Sequence, residues 1–184
     1  MKAKKMKTFK EILNEITNNI QYRILNNDEM KDFLYDNGVP KNKDVYFNKN
    51  IFHYFGEDGE KSKWNAMPFR WYSLWVNNPS GDGEMVAVAK VGQYPTDSHD
   101  SRSLAYIDVD SRYRQQGLAR ELTGQMFKNF ADNKWTFRTS SYSDIGLNYI
   151  KPLFNELAKK YKIKFIDVER YMPIIKDYRE NKFN

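Results

Sequence analysis

The chain contains no cysteine, so it can form no disulfide, no thiolate-bound metal site and no cysteine nucleophile. Histidine is scarce as well: there are only two, His53 and His99, each alone in loop-like surroundings. Either can be drawn as a base on a loop, but isolated histidines more often have no chemical role. With no carboxylates at calcium-loop spacing either, no metal ligand set is expected. No apolar run approaches the roughly 20 residues of a membrane span. The N-terminus lacks the apolar core of a secretory leader, and a cytoplasmic location is therefore expected. Also missing are a nucleophile elbow, a Walker-type phosphate loop and an RNP-like aromatic run, which removes three common functional classes.

What is present describes one globular domain. The 184 residues are 40% hydrophobic and 16% aromatic, enough to bury a core. The formal net charge is +6, part of it crowded into Lys2, Lys4, Lys5, Lys7 and Lys10. A solvated terminus is the simpler reading of that cluster than a nucleic-acid arm. The remaining positive charge is scattered, and a polyanionic ligand would account for part of it.

Taken in order, Thr8-x-x-Glu11 is a capping box. Phe9, Ile12, Leu13, Ile16 and Ile20 follow at helical spacing, which predicts an amphipathic helix within a segment 1–20. Such a helix would pack on the domain or on a second copy of the chain. Tyr22 to Leu25 reads as a strand, followed by a short helix through Tyr35, capped by Asn27 or Asp28. The stretch from Val39 to Arg70 is rich in aromatics (Tyr46, Phe47, Phe52, Tyr54, Phe55, Trp64) that would either line a pocket or fill the core. Trp71–Val76 and Met85–Val91 form a predicted hairpin across a turn-rich Asn77–Gly83. Trp135–Thr139 and Ile163–Val168 are further strands. A helix is expected from about Ile145 to Lys160, with Pro152 kinking it or restarting it after a separate turn. From Met172 onward a final strand and a helix opening at Pro173 both remain open.

The stretch from Leu104 to Phe130 organises the rest. Leu104–Val109 is β-branched and aromatic, and reads as a strand. From Leu118 the apolar residues Leu118, Leu122, Met126, Phe127 and Phe130 fall on one helical face. The turn between them, Arg114-Gln115-Gln116-Gly117-Leu118-Ala119, would leave the first N–H groups of the helix without intrahelical acceptors. These groups carry partial positive charge, which makes the turn a candidate phosphate site. Gly117 and Ala119 would allow close approach to the backbone, and Arg112, Arg114 and Arg120 would add charge around it.

The pattern Val109-x-Ser111-x-Tyr113-Arg114-Gln115-x-Gly117-x-Ala119 resembles the acyl-CoA-binding motif of the GNAT (GCN5-related N-acetyltransferase) superfamily. Ser111 stands where the family often has proline, and Gln115 where it often has glycine. The resemblance covers Gln21 to about Val168, within a domain 21–184. It implies a mixed α/β fold: a twisted, largely antiparallel sheet flanked by helices, here with an extra N-terminal helix. Acetyl-CoA would be the co-substrate and a primary amine the acceptor. The loop from Arg114 through Gln115, Gln116, Gly117, Leu118 and Ala119 would hold the pyrophosphate. The strand residues Ile107, Asp108 and Val109 would run beside the pantetheine arm.

The implied reaction needs an uncharged amine, a polarised thioester carbonyl and a proton for the departing thiolate. By the same resemblance Tyr149 would be the acid, with Tyr142 as the alternative. Asp108 would be the base, although strand alternation puts it opposite Ile107 and Val109 unless a bulge intervenes. An Arg-paired or solvated aspartate is its other reading. A GNAT-shaped protein that binds without turnover is the second reading of the chain. Small polyamines, aminoglycosides, peptide N-termini, protein lysines and aminoacyl-tRNA all stay open as acceptors.

Overall fold

The computed structural model describes residues 20–36, 69–76, 83–93, 98–139, 142–143 and 146–167. The expected helix before residue 20, the aromatic stretch 39–68, His53 and the segment beyond 167 lie outside these residues. The described chain runs β1 (Ile20–Leu25), α1 (Asn27–Asp36), β2 (Arg70–Val76), β3 (Glu84–Gly92), β4 (Ser101–Val109) and a 3-10 turn (Ser111–Tyr113). It continues through α2 (Leu118–Asp132), β5 (Thr136–Thr139), a π turn (Gly146–Ile150), α3 (Lys151–Tyr161) and β6 (Phe165–Asp167). The strands form a single six-stranded sheet in sequential order. The three pairings from β1 to β4 are antiparallel, and β4–β5 and β5–β6 are parallel. The parallel pairs are possible because α2 and α3 supply the crossover connections.

Strand periodicity divides the core in two. Trp71 and Trp75 of β2 turn to one face, where they pack with Met30 and Leu34 of α1 and with Met85 and Val88 of β3. Tyr72 and Leu74 turn to the other face, with Ala87, Ala89 and Val91 of β3, the apolar stripe of α2, and Leu153, Phe154 and Leu157 of α3. The stripe read from the sequence, Leu118, Leu122, Met126, Phe127 and Phe130, is buried along its whole length. Helices thus cover both faces of a mixed sheet, as expected. Four fully buried phenylalanines tie the larger core together: Phe137 stacks edge-on at 4.8 Å from Phe127, 5.5 Å from Phe130 and 5.0 Å from Phe154. Each such ring contributes about 1.5–3 kcal/mol by burial.

Two bulges adjust the middle of the sheet. In β3 the register passes from Ala87 to Met85, so Val86 and Ala87 share the α2 face. In β4 it passes from Tyr106 to Leu104, so Ala105 is the extra residue.

Three boundaries differ from expectation. Ile20 is not the end of a helix but the first residue of β1, opposite Val76, because its side chain packs on the larger core. The cap of α1 is Asn26, not Asn27 or Asp28. Asn26 Oδ1 accepts from the Glu29 N–H at 2.9 Å, and Glu29 Oε2 accepts from the Asn26 N–H at 2.7 Å, a reciprocal capping box. Asn27 is drawn away by the sheet, where its Oδ1 accepts from the Trp71 indole N–H at 3.0 Å. Finally, α3 starts only at Lys151, with Pro152 in its first turn after the π turn. There a missing N–H costs nothing, which is the restart that the proline implied.

Candidate functional site

The pairing of β4 with β5 ends at Leu104 opposite Thr139, while β4 continues to Val109. From Ala105 to Val109 the edge of β4 turned away from β3 therefore has no strand beside it among the described residues. An open strand edge can receive an extended ligand along its backbone, and at the end of this one the Val109 N–H donates to Asp108 Oδ1 at 2.8 Å.

At the end of β4 the chain is steered by a carboxylate. Asp110, 2% exposed, caps the 3-10 turn by accepting from the Arg112 N–H at 2.9 Å. It also takes the Arg112 guanidinium at 2.6 Å, and the same guanidinium reaches Glu84 of β3. Burial pushes the Asp110 carboxyl up, but the Arg112 hydrogen bonds and the Arg112 and Arg114 charges outweigh it, so its pKa lies below the ordinary value. Tyr113 donates its hydroxyl to Glu84 at 3.2 Å, closing a brace between the turn and β3.

Beyond the brace the backbone turns left-handed twice, at Gln115 (φ +62°) and Gly117 (φ +78°). Gln115 occupies a conformation that glycine adopts without strain, which is a physical reason for glycine to be common at such a position. A Cβ on Gly117 would meet no atom of the described residues within 4 Å, so that side of the turn is open among them. Helix α2 starts with no side-chain cap, and its first backbone bond is from Glu121 N–H to the Gly117 carbonyl at 3.0 Å. The N–H groups of Leu118, Ala119 and Arg120 precede that first bond, at the positive end of a 15-residue helix. Beside them the side-chain oxygen Oε1 of Gln116 is buried with no hydrogen-bond partner.

The side chains singled out from the sequence stand as follows. Ile107 and Val109 pack on the α2 side of the sheet, and Asp108 faces the other side with Tyr106. The β4 bulge comes before Ile107 and leaves that alternation intact. Asp108 accepts from the Tyr106 hydroxyl at 2.9 Å and from Arg114 at 3.2 Å. Arg114 also donates Nε–H to the Val109 carbonyl at 3.0 Å. Arg120 reaches across to α3, where both its terminal nitrogens bond Glu156, at 2.5 and 2.8 Å. All three arginines expected as mobile charge are thus engaged: Arg112 with Glu84 and Asp110, Arg114 with Asp108, and Arg120 with Glu156. Composition and spacing cannot reveal these partners, because they come from β3 and α3 or lie across the strand end.

Tyr149 lies on the π turn with 72% of its surface exposed. Tyr142 is partly buried against the larger core, its ring 6.4 Å from Phe154. His99 is exposed at the turn before β4. Among the described residues no group of three or more His, Cys, Asp or Glu side chains could hold a metal ion.

No protein-family model and no curated protein sequence matches the chain. Solved structures similar to it include an aminoglycoside acetyltransferase from an uncultured soil metagenomic sample, in complex with sisomicin. It is 12% identical at a TM-score of 0.48, over 75% of this chain and 89% of that one. A second is a ribosomal-protein alanine N-acetyltransferase from Escherichia coli, 14% identical at a TM-score of 0.45, over 75% of this chain and 76% of that one. A third is an aminoglycoside 6'-N-acetyltransferase from Acinetobacter baumannii, 14% identical at a TM-score of 0.40, over 73% of this chain and 88% of that one.

Proposed function

We propose that this chain is a GNAT-like N-acetyltransferase that moves an acetyl group from acetyl-CoA to a primary amine by direct attack in a ternary complex. One conjunction carries the reading: an open strand edge, Ala105–Val109, leads directly into an open helix start behind a left-handed glycine. An extended amide arm suits the first and a pyrophosphate suits the second, and a coenzyme A thioester joins the two. The motif from Val109 to Ala119 lies across that junction.

In this reading the backbone of Ile107 and Val109 pairs with the pantetheine arm. The N–H groups from Gln115 to Ala119, with Arg114, hold the pyrophosphate. The amine lone pair attacks the thioester carbonyl carbon, a C–N bond forms, and the C–S bond breaks with its electron pair on sulfur. Asp108 takes the amine proton, and Tyr149, or Tyr142 in its place, returns one to the thiolate. Holding both substrates together supplies much of the acceleration, so weak proton donors and acceptors suffice.

A second reading, coenzyme binding without turnover, is favoured by one observation. The Asp108 carboxylate is already bonded to Tyr106 and Arg114, so its oxygens are engaged within the fold.

Calorimetric titration with acetyl-CoA, with desulfo-CoA and ATP as controls, tests the coenzyme site. Saturable binding lost in Gly117→Glu supports it, and no binding at millimolar coenzyme refutes it. Thiol release with a panel of amines then separates the two readings: turnover lost in Asp108→Asn or Tyr149→Phe supports the residue roles, and unchanged turnover removes them.

A further inference from the structure

At the end of the sheet remote from Gly117 lie the starts of β5 and β6 and the last turns of α2 and α3. Six exposed lysines belong to these segments: Lys128, Lys134, Lys159, Lys160, Lys162 and Lys164. We propose that this end of the molecule is a docking surface for the phosphodiester backbone of a nucleic acid, separate from the coenzyme loop.

The fold brings together what the chain separates. Lys134 precedes β5 and Lys164 precedes β6, and the two strands are tied there by the Phe137 N–H, which donates to the Lys164 carbonyl at 2.9 Å. Lys162 closes α3 in a left-handed conformation (φ +56°), its N–H donating to the Lys159 carbonyl at 3.3 Å. Lys160 lies 5.3 Å from the ring centroid of Tyr161. Helices α2 and α3 touch at that tyrosine: a Cβ on Gly124 would lie 3.5 Å from the Tyr161 hydroxyl. Lys128 stands one turn further along α2 on the same face.

None of the six forms an ion pair among the described residues. They are not needed as helix caps, because the last carbonyls accept backbone N–H groups: Asn129 from Asn133, Ala131 from Lys134 and Ala158 from Ile163. Two exposed acids, Asp100 and Asp132, share this end. The Asp100 carboxyl lies below its ordinary value, first through the Ser98 hydroxyl and its own backbone N–H, and further through the Lys164 charge. Six ammonium groups against two carboxylates and two helix ends of about half a charge each leave roughly +3. The run Lys159-Lys160-Tyr161-Lys162-Ile163-Lys164 has the composition of a nucleic-acid patch. Ammonium groups meet phosphates as point charges, which suits a repeating backbone held by charge alone. A lipid surface fits less well. The exposed large apolar side chains of the described residues, Ile24, Leu147 and Tyr149, lie on β1 and the π turn, so this end has none to insert.

The test is fluorescence anisotropy of the full chain with a labelled single-stranded RNA and a labelled DNA duplex, from about 50 to about 200 mM salt. Saturable binding to at least one is expected, and the stronger arm identifies the nucleic acid. Four ammonium–phosphate contacts with a single strand give a slope of about −3 in log affinity against log salt. Lys162→Gln/Lys164→Gln should weaken binding by about tenfold or more at the lower salt and flatten that slope by about 1.4. Both lysines are exposed, so the double variant tests the surface without disturbing the core. Gly117→Glu should leave binding unchanged, which separates this surface from the coenzyme loop. Lys4→Gln/Lys5→Gln/Lys7→Gln should keep the slope, which separates it from the basic N-terminus. The absence of saturable binding to either nucleic acid, or a slope that survives in the Lys162/Lys164 variant, would overturn the proposal. So would a slope lost in the N-terminal variant, or binding to phosphatidylserine vesicles alone.

Discussion

Lys90 shows at the scale of one residue how burial overrules composition. It lies in the middle of β3, 7% exposed, with its ammonium 4.3 Å from the Phe69 ring centroid and 5.0 Å from that of Trp71. Burial lowers its pKa from the ordinary 10.5 to about 8. Between those two values the unfolded chain binds more protons than the folded one, so stability rises with pH across that window. Urea midpoints of the wild type should therefore climb between about pH 8 and about pH 9.5, below the range where tyrosines ionise. Lys90→Met should be flatter over the same range, and a wild-type profile that is flat or falling would refute the assignment. The same scale holds what was least legible beforehand. Arg112, Arg114 and Arg120 read as charges around a turn because a sequence shows spacing along the chain and not partners across it. Glu84 and Glu156, which hold two of them, stand 28 and 36 residues away.

At the scale of elements, period and punctuation carried far more. The strand into Val109, the turn at Gly117 and the helix from Leu118 stand where alternation and 3.6-residue spacing put them, and Pro152 opens a helix as its missing N–H requires. The cap of α1 escaped because Asn26, Asn27 and Asp28 are all competent N-caps in sequence. The choice among them is made by Trp71, which claims Asn27 from 44 residues away. Asn26→Ala should lower stability by about 1 kcal/mol, and Asn26→Asp should retain most of it, since aspartate accepts the same bond. Chemical denaturation monitored by circular dichroism reads both, and an alanine variant as stable as wild type would show that the capping box contributes nothing.

At the scale of the whole molecule, the sheet joins two cores of unequal size, and Phe137 sits where β5 meets both long helices. Phe137→Ala should cost about 3–5 kcal/mol, because Phe127 and Phe130 are held on α2 and Phe154 on α3, and rings fixed on two helices cannot close the gap together. Natural domains have only about 5–15 kcal/mol of stability in total, so thermal melting should show a large downward shift. A shift of only a few degrees would mean that the cluster repacks. The sequence by itself determined most strands and helices in their order and the position of the basic turn, since these follow from local periodicity and from residues with restricted backbones, while the mixed α/β class was what the resemblance of the Val109–Ala119 motif implied. Only the tertiary structure decided which partners the arginines of the turn take, that β4 runs on past the described end of β5 by the length of Ala105–Val109, and that Arg70, Arg102 and Trp135 line one cavity. Those outcomes depend on register and packing between segments far apart in the chain, and no local pattern records them.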